Sequence, residues 1–246
     1  MKYILDMHTH TLASGHAYST ITEMAHAAAQ SGLKLLGITE HAPMMPGTCH
    51  LYYFQNFKVI PRVMEGVHLM FGSELNIMNP DGQVDLPQEV LEKLDITIAS
   101  LHTPCMAPSS MEDNTRAYLN AIKNPCIDII GHPDDGRYPV DYEKVVHAAG
   151  KYHTLLEINN ASLNPAGFRK NTRDHDLTML KLCKAYNVPV ILGSDAHFSG
   201  DVGKFPFAGE VIREADFPDR LIVNSHRELL WDTLAYKKNR SGFYEF

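Results

Sequence analysis

Short apolar runs alternate with longer amphipathic stretches along the chain. The apolar runs are rich in Val, Ile and Leu and cover residues 3–6, 34–39, 68–75, 96–99, 127–130, 154–158, 190–192 and 221–223. Between them, apolar residues recur at helical spacing over 22–31, 87–94, 112–123, 141–149, 174–186 and 226–238. Gly32 and Gly150 are expected C-caps, and Pro87 is expected at the first helical position. Repeated strand and helix units of this kind predict a parallel sheet of the α/β class.

The length and the number of these units favour one domain. The 246 residues contain no low-complexity linker, so we predict a single domain over residues 1–246. Seven or eight units suit a closed (β/α) barrel, and a doubly wound open sheet is the alternative. A barrel places its chemistry just beyond the C-terminal ends of the strands.

Histidine is unusually abundant in this chain, with 14 residues. Many of these histidines follow the ends of predicted strands. A single histidine at a strand end is more often a hydrogen-bonded structural residue, but donors at one end of successive strands are what a metal site requires. The nine predicted metal ligands are His8, His10, His16, His41, Glu74, His102, His132, Asp195 and His197.

Nine donors exceed the needs of one ion. Catalytic zinc sites usually take three protein ligands and leave a position for water, so the set suits three divalent ions. Three such ions bring a charge of about +6; Glu74, Asp195 and one bridging hydroxide reduce it to about +3, with neutral histidines. A site of this charge favours a multiply charged anion, above all a phosphate monoester dianion. We expect the bridging hydroxide, with Glu74, Asp195 and His197 nearest, to attack phosphorus.

Further residues are expected around these ligands. Asp6 and Glu40 are predicted to hydrogen-bond the metal-bound imidazoles, although a solvated strand end is the alternative for Glu40. Substrate contacts are predicted for a basic group and one amide, and a plain surface loop is the alternative for the arginines. These residues are Arg137, Arg169, Arg173 and Asn159.

Several motifs together resemble those of a known family. They are Asp6-x-His8-x-His10, His16-Ala17-Tyr18-Ser19-Thr20, Ile38-Thr39-Glu40-His41, Gly72-Ser73-Glu74, His102, Gly131-His132-Pro133, Glu157-Ile158-Asn159-Asn160 and Gly193-Ser194-Asp195-Ala196-His197. With these motifs the chain resembles, over nearly its whole length, the PHP (polymerase and histidinol phosphatase) family of metal-dependent phosphoesterases, particularly the stand-alone YcdX-type phosphatases.

The resemblance implies a distorted (β/α)7 TIM-like barrel with a trinuclear site at the C-terminal ends of its strands. It implies zinc above all, with manganese or iron at some positions. The implied ligand sets are His8, His10, Glu74 and Asp195 for one ion; Glu74, His102 and His132 for a second; and His16, His41 and His197 for the third.

Composition and charge limit the possible binding partners and the cellular compartment. The chain is 44% hydrophobic and 21% charged, without the ~20 consecutive apolar residues of a membrane span or the apolar core of a signal peptide. We therefore expect a cytoplasmic protein that binds no membrane. A net charge of −7 makes nucleic acid an unfavourable partner, and the four cysteines lack C-x-x-C spacing, which fits a reducing compartment. Homo-oligomerisation stays open.

The predicted function is hydrolysis of a small phosphomonoester by a metal-dependent phosphatase. The same fold and ligands also suit a histidinol phosphatase, or a phosphodiesterase or exonuclease acting on nucleic-acid ends. A non-catalytic metal-binding module is the alternative of a different class, but structural zinc sites leave no open position. Amide or lactone hydrolysis is disfavoured, because that chemistry usually needs one or two ions and often a lysine at a strand end.

Overall fold

A computed structural model of the protein describes residues 2–238, so the two ends of the predicted domain lie outside the described residues. Eight strands form one sheet. They are β1 Leu5–Asp6, β2 Leu35–His41, β3 Val63–Met64, β4 Val67–Asn76, β5 Ile96–Ser100, β6 Ile129–Ile130, β7 Leu155–Asn159 and β8 Val190–Gly193.

Seven of these strands pair in parallel, in the order β1-β2-β4-β5-β6-β7-β8. The short β3 is the exception: it pairs antiparallel with β4 through a tight turn in which Glu65 and Gly66 both have positive φ, as two-residue hairpins require. The parallel strands form a nearly closed barrel surrounded by helices. The predicted distorted (β/α)7 barrel is confirmed, and the open-sheet alternative is excluded.

The seam between β1 and β8 closes the barrel. At the carboxyl end, Asp195 N donates to His8 O and His10 N donates to Ala196 O, both at 2.9 Å. At the opposite end, the side chain of Asn224 accepts from Leu192 N at 2.7 Å and donates to the carbonyl oxygens of Leu5 and Leu192. The two edges of the sheet are therefore joined by a few hydrogen bonds at each end of the seam.

Helices surround the barrel. They are α1 Ile21–Gln30, α2 Leu51–Gln55, α3 Gln88–Leu91, α4 Met111–Lys123, α5 Tyr142–Tyr152, α6 Thr172–Tyr186, α7 Pro206–Glu214 and α8 Arg227–Lys238. Capping residues fix several of their starts. Thr20 and Glu23 form a reciprocal capping box on α1, and Asp141 accepts from Lys144 N at the start of α5. Within residues 2–238, no helix has both the length and the apolar character needed to cross a bilayer.

Side chains fill the barrel in layers. The lowest layer is apolar and includes Leu35, Met70 and Ile191, and α8 covers it from below with Leu230 and Leu234. Small residues follow at the next inward-facing positions, and the polar donors lie above them. The small residues are Gly37, Gly72, Ser100, Gly131 and Gly193; a Cβ on Gly193, for example, would overlap Glu157 Oε1. This small layer lets the donor side chains lie deep in the barrel.

Some element boundaries differ from the prediction. The expected strand at 221–223 is instead two 3₁₀ turns, Asp219–Leu221 and Val223–Ser225, with a single bridge from Ile222 to Val190. The side chain of Asn224 takes the hydrogen-bond positions on Leu192 that another strand would use.

The predicted helix boundaries also differ at two positions. Pro87 is the N-cap of α3, which is shorter than expected. Gly150 does not end α5: it lies inside the helix, where a Cβ would approach Val188 Cγ2 to 2.9 Å. The helix ends at Tyr152, and its C-cap His153 has positive φ. The helices α2 and α7 were not predicted.

Candidate metal centre

Glu74 lies at the centre of a cluster of imidazoles at the C-terminal end of the barrel. Its Oε1 is 2.8 Å from His132 Nε2 and 3.1 Å from His102 Nε2. Its Oε2 faces three further rings, at 2.8 Å (His41 Nδ1), 3.4 Å (His8 Nε2) and 3.5 Å (His10 Nε2). One fully buried carboxylate is thus shared by five histidines, which come from four different strand ends.

Asp195 is the second carboxylate of the cluster. Its Oδ1 lies 3.3 Å from His10 Nε2 and 3.6 Å from His8 Nε2. His197 follows on the same loop, and its Nε2 is 3.1 Å from Nε2 of His16. All nine predicted ligands are therefore brought into one cluster.

Several buried atoms of this cluster that face one another have no partner with hydrogen-bond geometry within residues 2–238, although His41 Nδ1 and Glu74 Oε2 are only 2.8 Å apart. They are His8 Nε2, His10 Nε2, His41 Nδ1 and Glu74 Oε2. Buried polar atoms of proteins are nearly always bonded, so these atoms call for an explanation. Two ligands of one zinc ion, each about 2.0–2.2 Å from it, lie roughly 3.0–3.5 Å from one another. The nitrogen to oxygen spacing around Glu74 and Asp195 is of this size, and imidazole and carboxylate are suitable donors.

Three groups of donor atoms, each within 4.8 Å of one another, divide the cluster. They are His8, His10 and Glu74; His41, Glu74 and His102; and His10, His41 and His197. The first group falls within the first ligand set that the family resemblance implies. The other two share members with the remaining sets, but His41 stands in place of His132 and His10 in place of His16. The residues therefore fit a site for more than one divalent ion.

For Glu74 and His10, the electrostatic environment favours the protonation states that metal ligands need. Burial raises the pKa of Glu74, but His102, His8 and His41 outweigh it and hold this pKa well below its usual range. Burial and the neighbouring His41 and His197 hold the pKa of His10 well below its usual value. The carboxylate is thus kept ionised and the imidazole neutral.

Glu157 supports His8; it belongs to one of the motifs quoted above, but no role was predicted for it from the sequence. It lies in β7 with its carboxylate fully buried; Oε1 is 2.6 Å from His8 Nδ1, and Oε2 accepts from His132 N at 2.8 Å. Burial lowers the pKa of His8, but Glu157, Glu74 and Asp195 outweigh it and raise this pKa well above its usual value. A glutamate inside a buried apolar strand is itself a signal, because such residues are almost never fully buried unless paired.

Asn76 was also missed. It lies two residues after Glu74, on the same face of β4, and its Oδ1 is 2.7 Å from His102 Nδ1. Asp85 in turn accepts from the Asn76 amide at 2.6 Å. This arrangement fixes the ring of His102 with its Nε2 directed at Glu74.

The two predicted supporting carboxylates act indirectly. Glu40 Oε2 accepts from Ser14 Oγ at 2.6 Å, and Ser14 Oγ is 3.1 Å from His10 Nδ1. Asp6 accepts from backbone N–H groups, including Ser194 N at 3.2 Å, rather than from an imidazole ring. Asp6 therefore positions the backbone of the loop that carries Asp195.

Two of the predicted ligand residues have unusual backbone conformations. His132 and Asp195 adopt φ values of 30° and 54°, a region that residues other than glycine rarely occupy. Ile130, two residues before His132, packs against the outer helices, so a continued strand would direct His132 outward as well. The left-handed turn directs His132 inward instead. Such outliers concentrate at functional sites.

A cavity of about 380 Å³ opens above the cluster. Its floor includes His16, His41 and His197, and its wall includes Arg137 and Arg169. The side chain of Arg169 is only 10% exposed, and its Nη1 is 2.9 Å from Ser162 Oγ and 3.4 Å from Asp195 Oδ2. A guanidinium group held at this position can bind an anion next to the cluster.

The other two predicted substrate contacts lie elsewhere. Arg173 is largely exposed and pairs with Glu214 of α7, away from the residues that line the cavity. Asn159 is fully buried: its amide donates to Glu157 and Asp195, and its Oδ1 accepts from Ser162 N. Its hydrogen-bonding groups are thus engaged with the protein, and it positions the two carboxylates.

Comparisons with known proteins identify the family of the chain. A model of the PHP domain matches residues 6–164. A probable phosphatase of Thermoanaerobacter sp. (strain X514) is 48% identical over 98% of each chain, and a probable phosphatase of Clostridium novyi (strain NT) is 45% identical over 98% of this chain and 96% of its own.

Two solved structures share the fold at low identity. One is the histidinol phosphate phosphatase of Lactococcus lactis complexed with zinc, L-histidinol and phosphate (TM-score 0.59, 18% identity, covering 88% of this chain and 95% of that chain). The other is one chain of the cryo-EM structure of archaeal ribonuclease P with mature tRNA (TM-score 0.54, 14% identity, covering 98% of this chain and 96% of that chain). From the domain match and the close relatives, the chain belongs to the PHP domain family.

Proposed function

We propose that this protein is a metal-dependent phosphatase that hydrolyses a small phosphomonoester. The observation that carries the proposal is the cluster of convergent, partly unpartnered donors around Glu74 and Asp195, which lies beneath a cavity with Arg169 in its wall. The relatives named probable phosphatases, and the zinc and phosphate bound by the L. lactis enzyme, support the same conclusion.

We infer three divalent ions, zinc above all, with manganese or iron at some positions. When bound, such ions supply a nucleophilic hydroxide near neutral pH and stabilise the charge on phosphoryl oxygens. About +3 remains after Glu74, Asp195 and the hydroxide are counted, and the charges of Glu157 and Arg169 cancel one another. A dianionic phosphate monoester suits this charge better than a neutral amide or a singly charged diester.

The residues of the chain have distinct tasks in this reaction. Glu74 and Asp195, held ionised, would hold the ions, and together with His197 they would lie nearest the oxygen that attacks phosphorus. Arg169 orients the phosphate through its guanidinium group. In the net reaction, water adds to phosphorus, the bond from phosphorus to the ester oxygen breaks, and this oxygen leaves as the alcohol with a proton from water.

Metal analysis combined with a substrate panel tests this proposal. The protein, purified without chelator, is analysed for metal content and assayed on p-nitrophenyl phosphate, bis-p-nitrophenyl phosphate, histidinol phosphate and a single-stranded oligonucleotide. We expect close to three ions per chain, and monoester hydrolysis that is lost with chelator and restored by zinc or manganese. Faster cleavage of the diester or the oligonucleotide would favour a phosphodiesterase instead.

Substitution at His8 links the metal to the activity. His8→Ala is expected to lose both metal and monoesterase activity, while His147→Ala, on the exposed face of α5, is expected to keep both. Full activity in a metal-depleted His8→Ala protein would refute the proposal. One ion or none, without activity after metal is added, would favour a non-catalytic module.

A further inference from the structure

One wall of the cavity carries an exposed aromatic ring. Phe168 is 70% exposed, and among the large exposed hydrophobic residues of the described chain it is the one that lines this cavity. An apolar ring left in water at the mouth of a polar site gains free energy when a ligand covers it.

Two guanidinium groups hold this ring in place. The Cζ atoms of Arg137 and Arg169 lie 4.9 Å and 5.4 Å from the centroid of Phe168. Arg137 is fixed in turn by Asp135, through Nε at 3.0 Å and Nη2 at 2.6 Å. Because most of the surface of Phe168 is exposed in spite of these contacts, part of its ring is open to a ligand.

The ring lies directly beside the position inferred for the phosphate. Phe168 precedes Arg169 in the chain, and Arg169 reaches Asp195. Other parts of the cavity wall are also apolar and include Met45 and Pro104. The cavity thus combines a cationic end for phosphate with an apolar part that is large enough for a ring.

We propose that the alcohol released by this enzyme carries a planar aromatic ring, which stacks on Phe168. This inference rests on the proposed phosphatase function and narrows its substrate class. Offset or edge-to-face contacts between aromatic rings contribute beyond the burial of area, by an amount that corresponds to roughly two- to twelvefold in an equilibrium or rate ratio.

Benzyl phosphate and cyclohexylmethyl phosphate separate aromatic stacking from simple burial. Both release a primary alcohol with seven carbons, and the difference in leaving-group reactivity that remains is the same in every variant. The saturated ring is the more hydrophobic, so a merely apolar wall would favour cyclohexylmethyl phosphate. Stacking on Phe168 favours benzyl phosphate, and we expect its kcat/KM to be roughly two- to twelvefold higher.

Variants assign this preference to one residue. Phe168→Ala is expected to reduce the ratio of the two kcat/KM values to about one or below, and Phe168→Tyr to retain it. Tyr52→Ala is the matched control, since Tyr52 is 71% exposed but does not line the cavity, and this variant should keep the ratio. A wild-type ratio of one or below, or a ratio that persists in Phe168→Ala, would overturn the inference.

Binding of non-hydrolysable analogues distinguishes failure of this inference from failure of the proposed function. Benzylphosphonate and cyclohexylmethylphosphonate are titrated calorimetrically into the zinc-loaded protein and into each variant. If no monoester is hydrolysed, the phosphatase proposal fails; tighter binding of benzylphosphonate that requires Phe168 would still support the ring site. Equal affinities of the two phosphonates in the wild-type protein would refute it.

Discussion

Replacement of Glu157 by glutamine tests whether this buried carboxylate controls metal affinity. Its two oxygens serve opposite sides: Oε1 faces His8 Nδ1 at 2.6 Å, and Oε2 accepts from His132 N at 2.8 Å and from Asn159 Nδ2 at 3.0 Å. Glutamine has nearly the same shape but only one acceptor oxygen. Its amide nitrogen would therefore face N–H donors on one of the two sides.

The expected effect follows from these contacts. Loss of the hydrogen-bond partner of a metal-bound imidazole typically costs 10- to 100-fold in metal affinity, which is about 1.4–2.8 kcal/mol. A buried donor left without an acceptor costs about 1–3 kcal/mol, so the free energy of unfolding should fall by a similar amount. We therefore expect Glu157→Gln to fold but to bind zinc at least tenfold more weakly than the wild type.

Competition with a fluorescent zinc chelator measures this affinity directly. Urea unfolding in excess chelator separately measures the stability of the metal-free protein. Glu210→Gln, the same substitution at an exposed site on α7, serves as the control and should leave both quantities unchanged. Zinc affinity of Glu157→Gln within twofold of the control would refute the assigned role of Glu157.

Three further predictions concern other positions. Arg169→Gln should raise KM for a small phosphomonoester about tenfold or more, through the loss of a charged hydrogen bond, while Arg173→Gln should not; equal KM values would remove Arg169 from the phosphate site. Burial raises the pKa of Asp176 well above its usual 3.8, so its contribution to stability is complete below that pH and is lost as the pH rises. The Tm of metal-free Asp176→Asn should therefore exceed that of the wild type increasingly from pH 4 to pH 8, and a constant difference would contradict this reasoning. Gly193→Ala should weaken zinc binding in the same competition assay, because the added Cβ would displace Glu157; unaltered affinity would show that the glutamate can move freely.

The sequence predicts the barrel and the positions of its donors for a simple physical reason. Parallel strands that are buried on both faces are continuously apolar, so a polar residue at the end of such a run stands out. Glu74 and His102 are examples, since each follows a run of buried and mostly apolar residues. The shared direction of the strands then brings these residues to one end of the barrel.

Contacts between distant segments are not visible in such a pattern. Glu157 reaches His8 across the barrel, and Ser14 connects Glu40 with His10 through the side-chain geometry of a loop. Arg173 and Arg169 are similar in sequence context, yet only the latter lines the cavity, because α6 begins at Thr172 and carries Arg173 toward α7. Local patterns thus predict where each strand ends and which polar residues follow it. They do not predict which side chains from distant segments are in contact.

The seam between β1 and β8 also determines when the site can assemble. The residues that meet there come from opposite ends of the chain, and 186 positions separate Ser194 from His8. Closing a loop of that length costs roughly 5 kcal/mol of chain entropy. Any ion bound jointly by His8 and Asp195 would act as a crosslink across this loop and offset part of that cost. During synthesis, the donors after β1 and those after β8 therefore cannot meet until β8 has been made, so a nascent chain that ends before β8 lacks two of the nine predicted ligands, Asp195 and His197.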